Sequence, residues 1–323
     1  MLGQKVWLIT GTSSGFGRRL TGLALARGDR VIATARTLSK IEHFPKHPNL
    51  RLMQLDVNAS TKEIKARIDH AARAWNGIDV LVNNAGYGLP ALLEEGGVSL
   101  MLRQFQTNFF GVVNVCNAVL PYMRKKRNGT VVVIGSRSAW KPEGRGLGFY
   151  ASSKAAVHAM SESLATELEP FNIRVLLVEP GSFRTEGILG HPWDCSNPIP
   201  DYDEQRAYGR VNFSKPAGTQ PGDPDKAMKI VVDVVKGEGC AAGREWPLYL
   251  VLGKDAETDI RNKCAKVLKH LDDWNDVVRG VDLPPGSSYK GTPPRLTENG
   301  LKHTKLLATK MQFLEEVKNH VAV

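Results

Sequence analysis

From residue 4 to about residue 178, short β-branched apolar runs alternate with longer stretches in which apolar positions recur every three or four residues. That alternation predicts successive βαβ units around a parallel sheet. Strands are expected at Val6–Thr10, Arg30–Ala35, Leu50–Asp56, Asp79–Val82, Thr130–Gly135 and Ile173–Glu179. Helices are expected at Gly15–Arg27, Thr61–Trp75, Leu100–Arg127 and Phe149–Glu169, each long enough for a crossover. Six such strands imply a doubly wound α/β sheet.

The texture changes after Pro180. Residues 187–225 are rich in Pro, Gly, Asp and aromatics, with a short helix expected near Asp201–Phe213, and read as a lid over a site. A helix at Pro224–Lys236, a last strand at Leu248–Leu252 and an amphipathic helix from Ala256 to Val278 would complete one domain, residues 1–283. Leu283-Pro284-Pro285-Gly286-Ser287-Ser288 marks a linker. Beyond it, Leu301 to Val317 is expected to be the helix of a tail, residues 284–323, that carries six basic and three acidic residues.

Apolar residues make up 42% of the 323 and charged residues 24%, which excludes a largely disordered chain. No apolar run approaches the ~20 residues that span a bilayer. The N-terminus enters a strand-like run at once, leaving no room for a leader, and Cys116, Cys195, Cys240 and Cys264 lie far apart with no CxxC spacing. A reducing, cytoplasmic setting is expected, without disulfides. The formal charge of +10 raises the question of nucleic acid, but the densest basic run, Arg124-Lys125-Lys126-Arg127, falls at a predicted helix end without interleaved aromatics. It reads as a solvated helix end, so no nucleic-acid or membrane partner is expected. His191, Asp194 and Cys195 cluster in the lid but lack a fourth ligand and a rigid scaffold, so no metal is expected either.

Chemistry begins where the first strand ends, at Thr10-Gly11-Thr12-Ser13-Ser14-Gly15-Phe16-Gly17, and runs directly into a helix. Glycines let such a turn approach a pyrophosphate closely, and the helix N-terminus supplies free N–H groups and partial positive charge. The segment reads as a phosphate cradle for a dinucleotide.

The spacing Thr-Gly-x-x-x-Gly-x-Gly resembles the short-chain dehydrogenase/reductase family in its shorter single-domain branch. Further segments extend the resemblance in order: Asp56-Val57, Asn83-Asn84-Ala85-Gly86, Asn108, Ser136, Tyr150-Ala151-Ser152-Ser153-Lys154 and Pro180-Gly181-Ser182-Phe183-Arg184-Thr185. Each falls at the C-terminal end of a predicted strand or in the helix that follows, and together they cover about 1–283. The resemblance implies a Rossmann-type fold and a nicotinamide dinucleotide held by Gly11, Thr12, Ser13, Ser14, Gly15, Phe16 and Gly17. It adds Asp56, Val57, Asn83, Ala85, Gly86, Tyr150, Lys154, Pro180, Gly181, Phe183 and Thr185 to that set. It also implies that Tyr150 exchanges a proton with a carbonyl or alcohol, that Lys154 tunes it and holds ribose hydroxyls, that Ser136 binds the carbonyl oxygen, and that Asn108 holds a relay water.

The Tyr-x-x-x-Lys spacing has a physical meaning of its own. Residues four apart share a helix face, so the Lys154 ammonium is expected beside the Tyr150 phenol, lowering a pKa of ~10 by two to three units. The family separates its Ser and Tyr by about thirteen residues, whereas Ser136 precedes Tyr150 by fourteen and Ser138 by twelve. Ser136 is preferred because it directly follows the strand Val131-Val132-Val133-Ile134-Gly135, and Ser138 remains the alternative. His158 continues the Tyr150 and Lys154 face but lies about 12 Å along the axis from Tyr150, too far for direct proton exchange. A packing or subunit-contact role is expected for it.

After the second strand an acidic residue would bind a ribose 2′-hydroxyl and a basic one a 2′-phosphate. Here the run ends Thr34-Ala35-Arg36, so NADP(H) is favoured over NAD(H). A substrate wall is expected from Leu89, Pro90, Ser138, Trp140, Phe149, Phe183, Trp193 and the other lid aromatics, which suits an apolar or aromatic carbonyl compound. The leading expectation is an NADP(H)-dependent oxidoreductase interconverting a carbonyl and an alcohol, acting on a small molecule. A non-catalytic NADP(H)-sensing or scaffold protein is the alternative, and the Ser, Tyr and Lys argue against it. Epimerisation or elimination in the same site is the third reading. A homo-oligomer, dimer or tetramer, is expected from the likeness of the two long helices to surfaces that pair in relatives.

Overall fold

The structure is a computed structural model and describes residues 3–186, 190–214, 218–283 and 285–286. Two stretches of the expected lid, 187–189 and 215–217, and the expected terminal helix Leu301–Val317 lie outside the described residues. The main unit runs to Leu268, and the residues from Lys269 onward form a second. In the second unit the end of one helix carries a Lys269–Asp273 ion pair of 2.5 Å, and a short helix, Asn275–Arg279, follows.

Seven strands form the sheet: β1 (Val6–Ile9), β2 (Arg30–Ala35), β3 (Leu50–Gln54), β4 (Val80–Asn83), β5 (Gly129–Ile134), β6 (Ile173–Pro180) and β7 (Tyr249–Leu252). Their order is β3-β2-β1-β4-β5-β6-β7, and every neighbouring pair is parallel. The order reverses between β1 and β4, which opens a crevice at the C-terminal strand ends, where ligands bind in this architecture. Nearly every residue of β1, β4, β5 and β6 is buried, as a parallel sheet covered on both faces requires.

Alternation along each strand sorts the core into two layers. Val131 and Val133 of β5 face α2 (Thr61–Arg73), α4 (Gly111–Lys126) and α5 (Gly148–Leu168), where Ile64, Val119 and Val157 close the packing. Val132 and Ile134 face the other way, onto α1 (Gly15–Ala26) and α7 (Pro224–Lys236), through Leu20, Met228 and Val231. α7 is bounded as its sequence dictates: the Asp223 carboxylate accepts from the Asp225 and Lys226 N–H groups, and Gly237 ends it at φ 66°.

The expected helix Leu100–Arg127 is in fact three pieces. α3 (Leu93–Phe105) begins earlier and holds Gly97 at a non-helical φ of 55°; a π-helical turn, Gln106–Phe110, follows, and α4 then runs to Lys126. The Gly96-Gly97 pair reads as loop in the sequence, which hid the start of α3. Likewise the expected helix Ala256–Val278 is α8 (Lys254–Asp273) and α9 (Asn275–Arg279), broken at Trp274. The basic run closes α4: Arg124, Lys125 and Lys126 form its last turn, and Arg124 and Arg127 lie over the Phe171 ring. No helix among the described residues is long and apolar enough to cross a membrane.

Candidate active site

A cavity of about 790 Å3 opens at the C-terminal ends of the strands, and the loops after β1 to β6 all contribute to it. One end is formed by the β1–α1 turn. Gly11 adopts φ +69° there, and a Cβ on it would meet the Ala85 Cα at 2.9 Å, so only glycine lets the two loops come together. Asn84 ties them: its Nδ2 donates to the carbonyls of Thr10 and Gly11 at 2.8 and 3.0 Å. α1 starts at Gly15 with no side-chain cap from Ser14. Its first N–H donates instead to Glu186 Oε2 at 2.9 Å, and Arg19 holds the same carboxylate at 3.0 Å. Partial burial acts to raise the Glu186 pKa, yet the backbone N–H groups of Glu186 and Gly15 and the Arg19 guanidinium together hold it below the usual carboxylate range. The cradle therefore stabilises an anion, which is the property a pyrophosphate needs.

Of the expected cofactor residues, Gly11, Ser13, Ser14, Gly15, Phe16, Arg36, Asp56, Val57, Ala85, Gly86, Tyr150, Lys154, Pro180, Gly181, Phe183 and Thr185 line this cavity. Thr12, Gly17 and Asn83 do not. The Thr12 hydroxyl is turned into the protein and donates to the Thr34 carbonyl at 3.1 Å, while Asn83 donates to Cys116 Sγ at 3.1 Å. Lys40 lines the cavity beside Arg36 and Thr37, a second cation that the sequence reading missed. It lies four residues after Arg36, on a 3-10 turn, Leu38–Lys40, that brings it back to the strand end.

At the centre of the cavity α5 presents Tyr150 and Lys154 to the end of β5. Lys154 Nζ donates to the Ile134 carbonyl at 2.6 Å and stands 5.8 Å from the Tyr150 ring centroid. The Ser136 hydroxyl faces the Tyr150 phenol and accepts from the Ser138 N–H at 3.1 Å. Ser138 also lines the cavity, half-buried, but its contact with Ser136 is through the backbone. The expected lowering of the Tyr150 pKa by Lys154 is not found in the protein alone. Burial pushes the phenol up, the Ser136 hydroxyl offsets part of that rise, and burial brings Lys154 itself down to about 8. Asn108 sits in the π-helical turn: its Oδ1 accepts from the Tyr87 N–H at 3.1 Å, and its Nδ2 donates to the Tyr87 carbonyl at 2.9 Å and to Ser153 Oγ at 3.1 Å. A Cβ on Gly86 would lie 3.1 Å from Asn108 Oδ1 and 3.7 Å from Lys154 Nζ. Gly86 thus leaves a gap bounded by both polar atoms.

The other end of the cavity is walled by Tyr87, Leu89, Pro90, Leu147, Tyr208 and Phe213. Tyr208 and Phe213 come from α6 (Asp203–Ser214), the described helix of the expected lid, which Arg206 fastens to the buried Glu95 of α3 at 2.6 Å. Three of the expected wall residues face elsewhere. Phe149 is 1% exposed and packs with Leu89, Ala91 and Leu100; Trp193 lies behind the wall against Gly146, Gly209 and Phe213; and Trp140 does not line the cavity, its indole N–H being buried without a hydrogen-bond partner. An aromatic near a strand end fills core as readily as cavity, and only the packing separates the two.

Comparisons with known proteins agree with this fold. A family model described as short chain dehydrogenase matches residues 5–188. A 3-ketodihydrosphingosine reductase of Bacteroides thetaiotaomicron is 41% identical over 184 residues, which is 56% of this chain and 65% of that protein, just under two thirds of its length. An oxidoreductase of Botryotinia fuckeliana is 33% identical over 282 residues, covering 84% of this chain and 97% of that one. Among solved structures, a short-chain dehydrogenase from Streptomyces avermitilis is 34% identical with a TM-score of 0.76, over 87% of this chain and 100% of that one. The chain belongs to the short-chain dehydrogenase family of oxidoreductases.

Proposed function

We propose that the protein interconverts an apolar or aromatic carbonyl compound and the corresponding alcohol with NADP(H), Tyr150 acting as the acid and base. The observation that carries this reading is the convergence of the Tyr150 phenol, the Ser136 hydroxyl and the Lys154 ammonium on one cavity that also contains the Gly-rich turn. A sensor would need the turn but neither a phenol beside a lysine nor a hydroxyl facing that phenol.

A nicotinamide dinucleotide would supply hydride transfer at carbon and, when oxidised, a positive charge beside the phenol. The protein's own residues do the rest. The N–H groups at the start of α1 and the Gly11 turn would hold the pyrophosphate, and Arg36 with Lys40 would pair with a 2′-phosphate. Ser136 and Tyr150 would both donate to a carbonyl oxygen, orienting it and stabilising developing negative charge there. In reduction Tyr150 would then give up its proton; in oxidation it would take one. Lys154 would stabilise the phenolate left behind and hold ribose hydroxyls. Asn108 Oδ1 keeps a second lone pair, so a water in the gap beside Gly86 would link it to Lys154 and carry the proton onward.

The wall of Tyr87, Leu89, Pro90, Leu147, Tyr208 and Phe213 supports an apolar substrate, as does the similarity to a 3-ketodihydrosphingosine reductase. We place the reaction in the cytoplasm. The domain runs over residues 1–283 with the lid at about 187–225 and the tail at 284–323, and a dimer or tetramer formed through α4 and α5 is the assembly we expect. The test is oxidation of NADPH, against NADH, with aromatic and long-chain aldehydes and ketones. Turnover of apolar carbonyls with a preference for NADPH is expected, and tight NADPH binding without turnover of any of them would favour a sensor.

A further inference from the structure

The stripe that begins with Tyr150 and Lys154 on α5 continues one turn further to His158, and all three side chains address the end of β5. Tyr150 faces the Ser136 hydroxyl, Lys154 Nζ donates to the Ile134 carbonyl, and the Ser136 N–H donates to His158 Nε2 at 3.1 Å. Spacings of four and eight residues keep the three on one helix face. His158 is too far from Tyr150 for direct proton exchange. Its contact is with Ser136 instead.

The place where His158 acts is where the sheet stops helping. The last ladder bond on this side is from the Gly135 N–H to the Val178 carbonyl at 2.8 Å. The next N–H, that of Ser136, is buried and makes no ladder bond, and the imidazole supplies its acceptor. A side chain on Gly135 would run into Nε2, so a glycine sits where the ring approaches the backbone. Because Nε2 accepts, it carries no proton, and the ring proton is on Nδ1. Nδ1 in turn lies 3.2 Å from Glu179 Oε1 on β6, close enough for electrostatic attraction although outside hydrogen-bond geometry. His158 is 6% exposed and Glu179 1%, so neither contact is shared with bulk solvent.

We propose that His158, beside Glu179, is a positioning residue that clamps the Ser136 backbone and so keeps the Ser136 hydroxyl facing the Tyr150 phenol. This rests on the reading of Ser136 and Tyr150 given above. The charged groups against the imidazole are Lys154 of α5 and Glu179 of β6, and Glu162 of α5 and Tyr249 of β7 stand around Glu179 in turn. Burial, with the Lys154 ammonium adding to it, brings His158 down to about 4, so the ring stays neutral and Nε2 stays an acceptor at physiological pH. Burial raises Glu179, and the Glu162 carboxylate adds to that rise. A proton on Nε2 would set two N–H groups against each other and release Ser136.

Two measurements on the full chain test the clamp. Imidazole 15N spectra of the histidine-labelled protein between pH 5 and 8 should show His158 neutral with its proton on Nδ1; a proton on Nε2 or an imidazolium at pH 7 overturns the proposal whatever the enzyme turns over. Kinetics then separate positioning from packing. His158→Leu, checked for folding by its melting temperature, should lose kcat on the order of 10-fold while the NADPH Kd moves by less than about 3-fold. His158→Gln, which returns an acceptor near the Nε2 position, should recover most of the loss. A folded Leu variant with wild-type kcat, or Gln and Leu variants equally impaired, overturns the clamp and leaves the proposed reaction standing. A wild-type protein that turns over no carbonyl would contradict the proposed reaction, and the tautomer would still decide whether the clamp exists.

Discussion

Lys154 Nζ donates a 2.6 Å hydrogen bond to the carbonyl of Ile134, the last residue of β5, in a site where the lysine is only 6% exposed. The bond fixes the ammonium between the strand end and the Tyr150 ring, and the cost is visible in its titration. Burial lowers Lys154 from its ordinary 10.5 to about 8.

A cation that binds its proton less tightly when folded destabilises the fold wherever it is charged. The unfolded chain takes up that proton between pH 10.5 and about 8, so stability falls as pH drops through this window. Over the full shift this amounts to about 3 kcal/mol. Lys154→Met is therefore expected to be more stable than wild type at pH 7, by about 1–2 kcal/mol once the lost hydrogen bond is counted. It should be catalytically dead. Thermal unfolding at pH 7 and pH 10 checks this, with the difference shrinking at the higher pH; a variant less stable at pH 7 would contradict it.

Arg36 and Lys40 line the same end of the cavity. Arg36→Ala with Lys40→Ala should raise the KM for NADPH on the order of 10- to 100-fold, as expected for loss of charge-assisted hydrogen bonds to a phosphate. The KM for NADH should change little, since it has no 2′-phosphate. Equal effects on both would remove these residues from cofactor choice.

Glu186 places a carboxylate on the Gly15 N–H where a pyrophosphate is proposed to bind, so the two anions compete. Glu186→Gln should tighten NADPH binding about 2- to 5-fold at low ionic strength, the range of a single charge at a helix N-terminus. Added salt should erase the gain. Titration of nicotinamide fluorescence measures this directly, and weaker binding in the variant would show that Glu186 assists the nucleotide.

Much of this molecule was legible in the sequence, because a parallel sheet buried on both faces needs continuous apolar strands such as Val131–Ile134, and the helix periods between them are long and regular. The position of the site followed, since strand ends gather the loops that carry Gly11, Ser136 and Pro180. What escaped depended on distances between segments. Phe149 and Trp193 sit beside cavity-lining residues in sequence, yet their rings point into packing. The partnership of Ser136 with His158 spans 22 residues and exists only because α5 lies across the end of β5. Lys40 was missed because a 3-10 turn, not a strand or helix, returns it to Arg36. The break after Phe105 was missed because a π turn leaves the apolar spacing nearly unchanged.

The buried histidine gives the fold its own acid sensitivity. His158 titrates at 6.5 when free and about 4 when folded, so between these values the unfolded state binds more protons and stability falls as the pH drops. The full window is worth about 3 kcal/mol. Between pH 6.5 and pH 4, wild type should lose stability relative to His158→Gln by about that amount in urea unfolding. Parallel losses in the two proteins would place the titrating group elsewhere.

The central claim, that Tyr150 moves the proton, is tested most directly by single-turnover oxidation of NADPH with an apolar ketone or aldehyde, comparing wild type with Tyr150→Phe. The account predicts that the variant binds NADPH with nearly the wild-type Kd while its turnover falls by at least about 100-fold, the usual range for a positioned general acid. Turnover preserved in a folded Tyr150→Phe protein would contradict it.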